Sequence, residues 1–145
     1  MVNIKKILCA IDFSDMSKKV AEYAKTLAEA LKGEIVVLYV APSLSQYVGF
    51  HVPPASIETF VGEIVSGAEK TMEVFIQENF EDMKATGIVR TGYAAEEILD
   101  LAKTEDVDLI VMGTHGRKGI DRILFGSVAE KVVKSSDKPV LTVRP

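Results

Sequence analysis

The sequence has little with which to run covalent or redox chemistry. Its single cysteine, Cys9, excludes an intramolecular disulfide. Cys9 lies inside an apolar run with no histidine near it in sequence, the setting of a buried, inert thiol rather than a nucleophile. The two histidines, His51 and His115, supply no pair for acid–base work, and no cluster of His, Cys, Asp and Glu has the spacing of a tight metal site. Positive charge is also short. Seventeen Lys and Arg stand against 21 Asp and Glu, for a net charge of −4. No basic stripe is available to neutralise a nucleic-acid backbone, so a nucleic-acid partner is not expected. The longest apolar runs are too short to cross a bilayer. Lys5 and Lys6 are followed directly by a short strand-like run, which is not a signal-peptide pattern. A cytoplasmic location without a membrane partner is therefore expected. There is no repeat, low-complexity tract or linker.

What is present suits one globular domain over residues 1–145, long enough to bury a core, with 48% hydrophobic and 26% charged residues. Ile7–Ile11 is a continuous apolar run ending at Asp12, as a strand buried on both faces reads. Ser14, Asp15 and Ser17 are candidate caps for a helix whose apolar face carries Val20, Ala21, Ala24, Leu27, Ala28 and Leu31. Gly33 is expected to end it in the left-handed conformation. Glu34–Val40 is a second buried strand. The stretch from Ala41 to Ala55 holds three of the five prolines and reads as an irregular excursion, either a lid or contact surface or a plain surface loop. A long amphipathic helix follows, from Ile57 to Met83, with Ser56 as its expected cap. Its Met and Phe residues fall on the apolar stripe and are core residues. Gly87–Thr91 is a shorter, more polar strand, suited to a sheet edge. Gly92–Leu99 opens a third helix with Glu96 and Glu97 in its first turns, where they suit the dipole. Leu109–Met112 is a third buried run. Val128, Ala129, Val132 and Val133 mark a last helix, and Val140–Val143 a final strand.

Five strands alternating with four helices give a doubly wound, Rossmann-like α/β fold with a parallel sheet and helices on both faces. Its ligand belongs beyond the carboxyl ends of the strands, where the strand order reverses. The first and fourth strands then flank the crevice, bringing Asp12 to the loop that starts at Gly113. Asp12 can accept hydrogen bonds from ribose hydroxyls, bind a metal, or simply shape a turn or cap a helix. At the end of the second strand, the backbone of Val40 and Ala41 can read a base edge.

The loop itself is spaced Gly113-x2-Gly116-x9-Gly126-Ser127. It lacks the Gly-Lys-Ser/Thr of a P-loop and the Gly-x-Gly-x-x-Gly of dinucleotide folds. Strand, glycine loop and helix start nevertheless form a phosphate-holding arrangement. Glycines admit the anion to the backbone, and the first N–H groups of the helix point at it. Gly113–Gly116 can wrap one phosphate, while Gly126, Ser127 and Val128 offer N–H groups to another. His115 can contact phosphate or face solvent. Arg117, Lys118 and Arg122 can neutralise phosphate, meet another subunit or form a solvated patch. Asp121 can help hold a divalent ion.

This spacing resembles the ATP-binding motif of the universal stress protein family. The resemblance extends over nearly the whole chain. Ile7–Ser14 looks like that family's first strand with its acidic end, Gly92–Ile98 like its third-helix entry, and Lys138–Arg144 like its final strand. Tyr93-Ala94 stands where the family often has a proline. The resemblance implies a sheet ordered 3-2-1-4-5 and an adenine nucleotide, ATP or AMP, in the crevice, with Mg²⁺ carried on ATP if present. It implies that Ala10, Ile11 and Asp12 meet the nucleotide from the first strand, Asp12 through ribose, and that Val40 meets adenine through its backbone. Met112 and Gly113 then line the ribose–phosphate path, and Gly116, Gly126, Ser127 and Val128 hold the phosphates, with His115 between the loop glycines counted among the expected nucleotide-binding residues. It also implies a homodimer joined through Val140–Val143, an apolar edge strand in need of a partner. The expected function is that of a stress-related nucleotide sensor or switch, with slow ATP hydrolysis as the alternative. No catalytic set is legible.

Overall fold

In a computed structural model, which describes residues 1–41, 43, 54–115 and 126–145, the elements alternate as the apolar runs require. They are β1 (Lys6–Ile11), α1 (Asp15–Leu31), β2 (Glu34–Ala41), α2 (Pro54–Asn79), β3 (Ala85–Thr91), α3 (Ala94–Thr104), β4 (Leu109–Gly113), α4 (Ser127–Ser135) and β5 (Val140–Val143). The five strands form one sheet in the order β3-β2-β1-β4-β5, and all four neighbouring pairs are parallel.

Alternation along β1 explains why its sequence shows no polar face. Ile7, Cys9 and Ile11 pack with Val20, Ala21, Ala24 and Ala28 of α1 and Met72 of α2. Leu8 and Ala10 pack on the other side with Ala95, Ile98 and Leu101 of α3 and Ala129 and Val132 of α4. Successive side chains point to opposite faces, so a strand covered on both sides must be apolar throughout. Right-handed crossovers place α1 and α2 on one face while the chain winds toward β3, and α3 and α4 on the other as it returns to β4 and β5. Phe80, just past α2 and fully buried, closes the first core. Burial of such a ring contributes roughly 2–3 kcal/mol.

Several local expectations are corrected. The left-handed residue ending α1 is Lys32, at φ 55° and ψ 44°, not Gly33. Gly33 is small for another reason: a Cβ there would lie 2.8 Å from the carbonyl oxygen of Lys5, where β2 starts beside β1. The α2 helix begins at Pro54, so Ser56 lies inside it rather than capping it. Proline suits the first helical position, because its missing N–H is not needed there. The β3 strand starts at Ala85, two residues before Gly87, and runs for seven residues along the sheet edge. Most of the 41–55 stretch, with His51, lies outside the described residues, as do Gly116, Arg117, Lys118, Asp121 and Arg122. No described helix is long and apolar enough to cross a membrane.

Candidate functional site

The winding direction reverses between β1 and β4, which lie side by side with Ala10 level with Met112. Their carboxyl ends therefore open the crevice in which such folds take ligands. On the other side of β1, the β2 ladder stops at Ile11–Tyr39, while β2 stays paired with β3 through Val40–Arg90 and Ala41–Thr91. The end of β2 thus overhangs β1. Val40 is half-buried there and packs with the α3–α4 core.

Asp12 follows β1 directly, and its carboxylate is held from one side. Its Oδ1 accepts the Ser14 N–H at 2.9 Å and the Ser17 hydroxyl at 3.2 Å, and Ser17 Oγ in turn accepts the Asp12 N–H at 3.3 Å. This is an Asx-turn, so the turn-shaping role is realised. Among the described residues no donor is recorded at Oδ2. Phe13, the next residue, sits at φ 61°. A bulky residue rarely adopts that conformation. Its ring packs against Tyr39 at 4.6 Å and Phe75 at 6.0 Å, contacts that help hold the turn.

Beyond β4, Thr114 organises the other wall. It is buried, its N–H donates to Val143 O at 3.0 Å, and its own carbonyl accepts the Gly126 N–H at 2.6 Å. Gly126 is the N-cap of α4 and has no side chain to cap the helix. Its N–H is engaged by Thr114, so it is not the free donor that the glycine spacing suggests. A Cβ at Gly126 would stand 3.2 Å from Thr114 O, which makes glycine the residue that permits this close approach. The first N–H groups of α4, at Ser127 and Val128, have no acceptor within their own helix. They form a small electropositive end beside the carboxyl end of β4. Glu96 of α3 is ion-paired to Lys131 of α4, tying the two helices one turn further on. That hydrogen-bonded ammonium holds the Glu96 carboxyl below the usual range.

His115 does not face solvent. It is buried at 9% exposure, and its Nδ1 shares a 2.7 Å hydrogen bond with Thr114 Oγ1. No described group of three or more His, Cys, Asp and Glu residues could hold a metal ion. Of the residues singled out from sequence, the structure gathers Ala10, Ile11, Asp12, Met112, Gly113, His115, Gly126, Ser127 and Val128 around the β1–β4 ends, with Val40 on the neighbouring strand. Gly116 falls outside the described residues. Sequence reasoning had Thr114 only as part of the Gly113–Gly116 loop and missed its bridging role, as it missed the role of Ser17. The signal for Ser17 was present, a hydroxyl five residues after a strand-ending Asp. Thr114 gains its importance from partners distant in sequence, Gly126 and Val143, the latter 29 positions away.

A model of the universal stress protein family matches residues 3–144. The chain belongs to this family. It is 34% identical over 157 aligned positions to universal stress protein MJ0577 of Methanocaldococcus jannaschii, covering 99% of this chain and 96% of that protein. The solved MJ0577 structure superimposes with a TM-score of 0.85 at 31% identity, covering 99% of this chain and 98% of the other. The fold is shared more distantly with a universal stress protein from Archaeoglobus fulgidus in complex with dAMP (TM-score 0.60, 23% identity, 98% of each chain). A further universal stress protein, in complex with cAMP, matches with a TM-score of 0.62 at 19% identity over 97% of each chain. In this universal stress protein, a carboxylate, Asp12, follows β1, and an electropositive helix start is tied to the end of β4, the strand paired with β1 across the switch point.

Proposed function

We propose that this universal stress protein binds an adenine nucleotide, ATP or AMP, across the β1–β4 switch point and acts as a nucleotide-dependent sensor or switch. The observation that carries the reading is the start of α4. Its Ser127 and Val128 N–H groups are set beside the end of β4 through the Gly126–Thr114 hydrogen bond. Phosphate belongs at that electropositive end. Asp12, its carboxylate oriented by Ser14 and Ser17, is suited to ribose hydroxyls. The overhanging end of β2 at Val40 is suited to a base edge, while Ala10, Ile11, Met112 and Gly113 line the path between. His115 and Gly116 complete the phosphate end, Gly116 on the family's pattern alone. Relatives of the same fold in complex with dAMP and cAMP support an adenine nucleotide as the ligand class. Mg²⁺, when present, travels on the ATP phosphates and water.

The chain acts as one domain in the cytoplasm and pairs through β5 into a homodimer, so that occupancy is read at a dimer surface. Slow ATP hydrolysis is the second reading. It draws on the buried His115 imidazole, oriented by Thr114 beside the phosphate end. Mass spectrometry of nucleotide co-purifying with the protein, followed by a time course with ATP and Mg²⁺, tests both. Bound ATP or AMP with little turnover supports the switch. Single-turnover cleavage lost in His115→Ala supports the hydrolase. No retained nucleotide, together with no calorimetric binding of ATP or AMP, removes both.

A further inference from the structure

Among the described residues, Ser14 Oγ is the one buried side-chain oxygen or nitrogen without a hydrogen-bond partner. Ser14 is the N-cap of α1, yet its side chain makes no cap hydrogen bond. Leaving a buried hydroxyl unpaired forgoes its hydration for nothing, so native proteins rarely keep one without a use. Its position is specific. It stands two residues after Asp12 on the connection leaving β1 at the switch point, and its N–H holds the Asp12 carboxylate. The residue as a whole is only half-buried. One staggered χ1 rotation can therefore carry the hydroxyl to the open side of the turn.

We infer that Ser14 is a nucleotide-contacting residue whose hydroxyl meets a ribose hydroxyl next to the one taken by Asp12; this rests on the adenine-nucleotide reading above. The charge around it selects the ribose over the phosphates. Asp12 places a carboxylate directly beside Ser14, which repels a phosphate, whereas a sugar diol satisfies both a carboxylate acceptor and a serine hydroxyl. Phosphates are drawn instead to α4, whose first-turn carboxylate, Glu130, is ion-paired to Lys134.

The test is calorimetric binding of ATP, AMP, 2′-deoxy-ATP and 3′-deoxy-ATP to the wild-type protein, Ser14→Ala and Ser14→Gly, with thermal melts of each empty protein. Both variants remove the hydroxyl, and glycine is itself an accepted N-cap residue. Empty Ser14→Ala is expected to melt at or above the wild-type temperature, because an unpaired group has been deleted, and empty Ser14→Gly slightly below Ser14→Ala, because glycine loosens the unfolded chain. Affinity for ATP and AMP is expected to fall by the same factor, roughly three- to tenfold. The loss should vanish for the deoxy analogue that lacks the hydroxyl Ser14 meets. Unchanged affinity in both variants, or a loss that grows with the number of phosphates, overturns the inference while leaving nucleotide binding standing. A wild-type protein that binds none of the four ligands overturns the nucleotide reading and this inference with it.

Discussion

The Gly126 N–H donates to the Thr114 carbonyl over 2.6 Å, and the Thr114 N–H donates to Val143 O over 3.0 Å. One threonine thus joins the start of α4, the end of β4 and the edge strand β5. The helix end proposed to hold phosphate is therefore two hydrogen bonds away from the strand proposed to hold a second subunit. A ligand that tightens or shifts the start of α4 acts on Thr114 first and on β5 next. This is a physical route by which occupancy can reach a dimer surface.

Gly126→Val is expected to abolish nucleotide binding and lower the melting temperature together. Already the Cβ would lie 3.2 Å from Thr114 O, and the two methyl groups of valine have to displace the loop or the helix start. Overpacking of this kind costs on the order of 1–3 kcal/mol. Calorimetry with ATP and a thermal melt measure the two effects. Unchanged affinity in a folded Gly126→Val protein would remove α4 from the site.

Asp12→Asn and Asp12→Ala should separate the two duties of this residue. Asparagine keeps an acceptor for the Ser14 N–H and the Ser17 hydroxyl, so the Asx-turn survives. Alanine leaves the buried Ser17 hydroxyl without its acceptor, at a cost of about 1–3 kcal/mol. The urea midpoint is expected to move little in Asp12→Asn and clearly in Asp12→Ala. Nucleotide affinity should fall in both, since each removes the charged acceptor offered to ribose. A wild-type affinity in Asp12→Asn would reduce Asp12 to a turn residue.

The doubly wound class was legible because buried parallel strands leave an unmistakable pattern, whereas the strand order rested on the family resemblance. Ile7–Ile11 and Leu109–Met112 carry no polar alternation, and the glycine loop follows the second of them. The site was legible where it depended on chain order, as in a carboxylate after β1 and a helix start after the glycine loop. It was illegible where it depended on contacts between distant segments. Gly33 looks like a helix terminator in sequence, and only the approach of Lys5 O shows that it is a spacing residue. The Gly126 N–H looks available until Thr114 is seen to accept it. The early start of β3 escaped notice because Ala85 and Thr86, partly exposed at a sheet edge, have no apolar signature.

Cys9 should resist thiol reagents in the folded protein and react only on unfolding. It is fully buried in the centre of the sheet, and burial pushes its thiol from an ordinary 9.0 up to about 12. A raised acid pKa also has a sign in stability. Between pH 9 and 12 the unfolded chain releases this proton while the folded chain keeps it, so stability falls as pH rises, by at most about 1.4 kcal/mol per pH unit. Labelling followed by mass spectrometry at pH 8 should show a rate equal to the unfolding rate. Urea melts of wild type and Cys9→Ala from pH 8 to 10.5 should diverge in slope above pH 9. Rapid native labelling would contradict the burial of β1.

Thr142→Pro is the sharpest test of pairing through β5. Pro139 O accepts the Ile110 N–H and Val143 O accepts the Thr114 N–H, so the odd-numbered peptide groups of β5 face β4. By the alternation of a strand, Val140 and Thr142 direct their N–H and C=O groups to the open edge. Proline at 142 removes one outward donor and leaves the ladder to β4 intact, as edge strands tolerate. A β5–β5 interface loses a hydrogen bond and gains a steric obstacle, while the fold of each subunit is kept. Light scattering after size exclusion is expected to show a dimer for the wild type and a monomer for Thr142→Pro, with similar far-ultraviolet circular dichroism. A dimer that persists with unchanged dissociation on dilution would place the subunit interface elsewhere. Comparing ATP affinity in the two proteins then measures the coupling along Val143, Thr114 and Gly126. If that route operates, the monomeric variant binds ATP with altered affinity, since any influence of the site on pairing requires an equal influence of pairing on the site.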